Sequence, residues 1–292
     1  MDALPAPVPL TQATPVPAQA DSDARLIALW LHGRSSGTAR AYAADIRAFL
    51  AQCGQPLRAV TLGDLQRFAD SLAPLAPTSR ARKLAAVKSL LAAAHRLGYT
   101  AFDVGAALRL PPVKVTLSAR ILSEAEVHRM LALEPHPRNA ALLRLTYGAG
   151  LRIAELCALA WRDLAPRDAA GQITLFGKGG KTRVVLLPEG LWRAVVALRG
   201  TAAPDDPVFR SAKGGPLDPS AAHRVVKRAA ARAGLSPAVS AHWLRHAHAS
   251  HALDHGAPIH LVQATLGHAS VATTGRYLHA RPNDSSARYL AV

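Results

Sequence analysis

The sequence predicts a mainly α-helical chain in two domains, with one small β hairpin in the second (an α+β arrangement). Three observations carry this. Apolar residues recur at three- and four-residue spacing through most of the 292 residues. One proline-marked stretch, Arg109 to Arg120, breaks that pattern. The clearest β-prone runs flank a single glycine-rich turn, in GQITLFGKGGKTRVVLLP.

Taken in order, residues 1–20 read as a disordered lead-in. Pro5, Pro7, Pro9, Pro15 and Pro17 deny them any periodicity, and they lack the basic and continuous apolar regions of a signal peptide. Residues 21–108 form a helical domain. In TARAYAADIRAFL, Tyr42, Ile46, Phe49 and Leu50 fall on one face. In TLGDLQRFADSL, Thr61 is placed to cap a helix with Asp64 reaching back from the third position. In PTSRARKLAAVKSLLAAAHRLGY, Leu84, Val87, Leu91 and Ala94 make the apolar stripe, and Gly98 ends the helix. Residues 109–121 read as an extended interdomain linker. From 122 to 292 runs a second domain with a C-terminal tail. It opens on the capping pattern SEAE at Ser123, and helices are expected near 138–148, 153–160, 189–199, 219–234, 241–254 and 258–266, with the hairpin among them.

Composition narrows the partners. Lysine and arginine number 35 against 19 acids, a formal charge of +16 spread over both halves of the chain. A folded basic chain points to a polyanion, and nucleic acid is the commonest one. Arg80, Arg82, Lys83 and Lys88 load the first half of one helix with charge that opposes its macrodipole, so an outside anion such as DNA is the expected reason for them. The two cysteines, Cys53 and Cys157, have no metal-ligand spacing and fit a reducing compartment. No run of about 18 apolar residues is present, which predicts a cytoplasmic protein with no membrane partner.

Several motifs fail on inspection. GKGGKT ends like a phosphate-binding loop, but Leu175 stands where its first glycine belongs and a strand follows in place of a helix. GAGLRI lacks the last glycine of a dinucleotide fingerprint, where Ile153 stands. His242 and His246 are four apart, as zinc ligands can be, yet no third ligand is placed and the Glu of H-E-x-x-H is missing. Neither a cofactor nor a metal is expected.

What remains is a set with a common chemical sense. Arg152 opens a helix after Gly148 and Gly150, Lys178 sits in the hairpin turn, and His242 and Arg245 share a helix face in HWLRH. His268 and Tyr277 close LGHASVATTGRY, bracketing a short helix capped by Ser270. Together GLRIAEL, GKGGKTRVVLLP, HWLRH and LGHASVATTGRY resemble the tyrosine recombinases, or phage-integrase family, over residues 22 to about 280. The resemblance implies a helical core-binding domain (21–108) and a catalytic domain that clamp duplex DNA. It implies catalytic roles for Arg152, Lys178, His242, Arg245, His268 and Tyr277, with Tyr277 the nucleophile. Lys178 would protonate the leaving oxygen, His242 would help take the tyrosine proton, and His268 would hydrogen-bond the phosphate. Lys181 and Arg183 on the hairpin are expected to touch DNA. Four protomers, identical or mixed with a paralogue, would act on paired inverted-repeat sites through a Holliday junction, in association with the nucleoid. The tail RPNDSSARYLAV would pack on a neighbouring protomer or on its own domain. With no arm-binding domain before Asp21, a Xer-like enzyme is expected over a lambda-type one. Two rivals are a type IB topoisomerase and a non-catalytic architectural DNA-binding protein.

Elementary chemistry agrees with such a set. A phenol of pKa about 10 is ionised about once in a thousand molecules at pH 7, so forming the phenolate costs roughly 4 kcal/mol without help. Positive neighbours lower that cost. Charge building on two phosphate oxygens suits the planar forks of two arginines better than two lysines.

Overall fold

The computed structural model describes residues 19–112, 117–176 and 182–277. The chain divides into two compact units, Met1–Val115 and Thr116–Val292. Among the described residues no helix is long and apolar enough to cross a membrane.

The first unit is a four-helix assembly: α1 (Asp23–Leu31), α2 (Ser36–Cys53), α3 (Leu62–Ser71) and α4 (Pro77–Arg96). Local signals set the ends. The Thr61 amide donates to Asp64 at 2.8 Å, and the Asp64 amide donates back to Thr61 Oγ1 at 3.3 Å, the expected reciprocal cap of α3. Gly98, at φ 67°, stops α4 in a conformation that disfavours side chains. Leu26, Ile46, Phe49, Leu65, Leu84, Val87 and Leu91 fill the core, with Phe49 and Phe68 edge to face at 5.1 Å.

That core also gives two of the α4 cations a partner inside the protein. Asp45 on α2 is 1% exposed and is held by Arg82 and by Lys83 at 3.1 Å. A buried carboxylate without partners is costly, so these two cations answer an anion inside the protein. Lys88 donates to the carbonyls of Ala106 and Leu108 at 3.1 and 2.8 Å, closing the turn after α4. Of the four, Arg80 alone has no such ion pair or carbonyl partner among the described residues.

The second unit opens with α5 (Glu124–Ala132), capped as expected by Ser123 and Glu126, whose mutual bonds are 2.7 and 3.3 Å. Then come α6 (Pro137–Gly148), α7 (Ile153–Ala158) and an antiparallel sheet of β1 (Leu164–Arg167), β2 (Ala170–Phe176) and β3 (Thr182–Leu187), in the order β1-β2-β3. After it follow α8 (Glu189–Val196), α9 (Pro219–Arg232), α10 (Ala241–Asp254), α11 (Ile259–Leu266) and α12 (Val271–Gly275). The expected hairpin is β2–β3, with Ile173 opposite Val185, but the sheet has a third strand that was not expected. β1 is four residues long, buries only Leu164 and carries Pro166, so neither alternation nor propensity reveals it. Its pairing sets Leu164 opposite Ile173, and Asp168 at φ 51° makes the turn into β2. Gly171 on β2 is required by packing: a Cβ there would lie 2.1 Å from the Trp192 ring of α8. The main core joins Val127, Met130, Leu142, Leu156, Ile173, Val185, Phe209, Val226 and Leu244. A second cluster of Ile121, Ala249, Val262, Leu266 and Tyr277 lies against α10 and α11.

Candidate active site

Three pieces of backbone converge in the second unit: the turn before α7, the end of α11, and α10 between them. Gly150 stands at φ 60°, and a Cβ on it would meet Leu266 Cδ2 at 2.7 Å and His248 Cδ2 at 2.9 Å, so only glycine allows this approach. Arg245 of α10 is 5% exposed and donates to the carbonyls of Gly150 and Leu266, fastening the two loops together. Burial, then the charge of Arg152, lowers its pKa to about 10, so it remains a cation at neutral pH. A buried cation satisfied only by carbonyls is a ready seat for an anion.

Arg152 caps α7 and is fixed by Glu155. Its amide and Nη1 donate to that carboxylate at 2.9 and 2.7 Å, and its Nη2 reaches the Gly267 carbonyl at 3.3 Å. Arg183 of β3 takes the same carboxylate with both nitrogens at 2.8 Å and donates Nε to the Thr265 carbonyl at 3.0 Å. Burial alone would raise the Glu155 pKa, but hydrogen bonds from Arg183 and Arg152 outweigh it and hold the acid at about 2. Arg183, expected to touch DNA, is thus engaged within the protein. Its side chain is 14% exposed and committed to Glu155, so it braces the site.

His268 and Tyr277 lie on either side of α12, with the Ser270 hydroxyl accepting from the Ala272 amide as expected. Their rings are parallel, 6° apart in tilt with centroids at 6.4 Å. His268 Nδ1 shares a hydrogen bond with Thr274 Oγ1 at 2.8 Å. Tyr277 is 6% exposed, and burial raises its pKa against the lowering pull of Arg245 and Arg276. Its hydroxyl shares a 2.7 Å hydrogen bond with Nδ1 of His246. The resemblance implies His242 as the tyrosine's partner. Instead the His242 ring is exposed and lies 6.0 Å from that of His246, which takes the contact.

Arg152, Arg245, His268 and Tyr277 are thus brought together, with His242 one ring away. Lys178 and Lys181, and the tail RPNDSSARYLAV, lie outside the described residues. Sequence reasoning missed Glu155, although its third-position spacing from Arg152 was a visible capping signal. It met His246 only as half of a possible metal pair. Among the described residues, no group of three His, Cys, Asp or Glu side chains is placed to hold a metal ion.

The model of the phage integrase family matches residues 120–284, and that of the phage integrase N-terminal SAM-like domain matches residues 26–98. The chain belongs to the phage integrase family. It is similar to the tyrosine recombinase XerC of Xanthomonas campestris pv. campestris (strain B100), 36% identical over 260 residues, covering 84% of this chain and 79% of the relative. It is 35% identical over 273 residues to the tyrosine recombinase XerC of Mycobacterium bovis (strain BCG / Pasteur 1173P2), covering 85% and 89%. In fold it resembles a lambda integrase tetramer bound to a Holliday junction, with a TM-score of 0.73 and 18% identity over 90% of this chain and 77% of that one. The protein is therefore an XerC-like tyrosine recombinase, an enzyme of site-specific DNA recombination. In its second unit the charged groups converge where Arg245 ties Gly150 to Leu266.

Proposed function

We propose that this recombinase cuts and rejoins duplex DNA through a 3′-phosphotyrosine on Tyr277. The observation that carries the assignment is the convergence of two arginines and a buried tyrosine on the Gly150–Leu266–Gly267 backbone. Arg152 and Arg245 hold the two non-bridging oxygens of the scissile phosphate, and His268 adds a hydrogen bond. The Tyr277 oxygen attacks phosphorus, and the bond to the sugar 5′ oxygen breaks. Lys178 protonates that oxygen, and His242 assists from the exposed face of α10. Resealing by a partner strand's 5′ hydroxyl reverses these steps and conserves the bond, so ATP is not consumed. Residues 21–108 serve as the core-binding domain and 122–292 as the catalytic domain. Four protomers, identical or paired with a paralogue, act on inverted repeats in the nucleoid. This reading draws support from the Holliday-junction tetramer of its lambda integrase neighbour.

Adduct trapping under denaturing conditions, followed by sequencing of the attached ends, tests the proposal. Adducts on one short inverted repeat, absent with Tyr277→Phe, are expected. Adducts surviving in Tyr277→Phe sink the nucleophile assignment, and adducts scattered along the chromosome favour a topoisomerase.

A further inference from the structure

Attack by Tyr277 requires a base beside its hydroxyl, and the exposed His242 is not the residue bonded there. We propose that His246, one turn beyond His242 on α10, is the catalytic base that holds the Tyr277 hydroxyl and accepts its proton. The inference rests on reading Tyr277 as the nucleophile.

Geometry is the first argument. His246 Nδ1 lies 2.7 Å from the Tyr277 oxygen, within the range in which a base takes a proton directly. The two ring centroids are 5.6 Å apart at a tilt of 49°, and the His268 ring lies parallel to that of Tyr277 with centroids at 6.4 Å. With its own proton on Nε2, neutral His246 presents a lone pair at Nδ1, and the phenol donates to it. Among the described residues the hydrogen bond recorded at the Tyr277 hydroxyl goes to His246 and not to His242, whose ring centroid lies 6.0 Å from that of His246.

Charge is the second argument. The groups acting on His246 are His242 and Arg245 from α10, Arg120 from the segment before α5, and Arg276 beside the nucleophile. Burial first, then His242 and the three arginines, bring the His246 pKa down to about 4, so it is neutral and able to accept at pH 7. A base of that strength alone does not ionise a phenol held above its usual pKa. The phosphate of bound DNA changes this. Its negative charge enters among Arg245, Arg152 and Arg276, offsets them and makes His246 more basic. Proton transfer is thereby tied to the arrival of substrate. In the balanced step the Tyr277 oxygen forms its bond to phosphorus, the bond from phosphorus to the 5′ oxygen breaks, and the phenolic proton ends on His246 Nδ1. In the reverse step His246 returns it to the departing tyrosine oxygen.

The test uses the full chain and a nicked duplex carrying the site found by adduct sequencing, with single-turnover adduct formation followed from pH 5.5 to 9. Folding and duplex binding of each variant are checked alongside. His246→Gln retains a hydrogen-bond acceptor of similar size but cannot take a proton, whereas His246→Ala removes both. The expected result is a loss of about a hundredfold or more at pH 7 in both variants. Their rates should then climb with pH, as hydroxide replaces the missing base, while the wild type stays nearly level. A duplex with a sulfur in place of the bridging 5′ oxygen needs no proton on its leaving group, and it should not rescue either variant. Wild-type rate and pH profile in His246→Gln overturn the inference and leave the tyrosine assignment standing. Rescue by the sulfur duplex also overturns it, placing His246 on the leaving-group side. Adducts in a parallel Tyr277→Phe reaction overturn the parent reading instead.

Discussion

Glu155 is the residue on which both the arginine geometry and an acid-sensitive part of the stability depend. It accepts from Arg152 and Arg183 together, and its pKa falls from 4.5 to about 2 on folding. A carboxylate with a lowered folded pKa stabilises fully above its unfolded value, and that contribution disappears as pH falls through the folded one. The shift corresponds to roughly 3 kcal/mol. Urea unfolding of wild type and Glu155→Gln should therefore differ by that order at pH 7, and the difference should shrink between about pH 4.5 and pH 2. A pH-independent gap would mean that Glu155 acts through packing and not through charge. The same residue explains why part of the site was hidden in the sequence. Arg183 was expected at DNA, and its bond to Glu155 was not visible because the two stand 28 positions apart. His246 was obscured by its spacing from His242, which imitates a metal pair on a helix face.

Elements whose signals are local were legible. Thr61 with Asp64 and Ser123 with Glu126 announce α3 and α5, because a cap is written within four residues. α4 and α10 follow from periodicity and from the absence of interior proline. β1 was not legible, since four residues with one buried side chain are held only by pairing to β2. The partner of Arg82 and Lys83 was hidden for a related reason: Asp45 belongs to another helix, so it is visible only once α2 and α4 pack. The packing of α8 on the sheet is equally non-local, and it can be tested. Gly171→Ala should expel the Trp192 ring, destabilise the second unit by about 1–3 kcal/mol and shift Trp192 emission. Trp192→Ala in the same chain should absorb most of that cost, giving a strongly non-additive cycle. Additive effects would show that Gly171 is needed for backbone freedom and not for the approach of the ring.

At the scale of the whole molecule, a charge of +16 predicts duplex binding that weakens steeply with salt, even on DNA without a target site. The individual cations should not contribute equally. Arg80→Ala should lower the slope of log affinity against log salt by about 1, as expected for a lost phosphate contact. Arg82→Ala should leave that slope nearly unchanged and lower stability instead, because Asp45 is its partner. Equal slopes for both variants would return Arg82 to the DNA-facing set. A chain that clings to any duplex spends most of its life in encounters with the wrong sequence. An open, reactive hydroxyl would make each of those idle encounters a chance of chromosome damage. Tyr277 meets them shielded, 6% exposed and tied to a neutral imidazole. The burial of one phenol thus doubles as a safeguard of the genome during the search, and it lets fidelity depend on what uncovers that phenol together with its imidazole as well as on recognising the sequence.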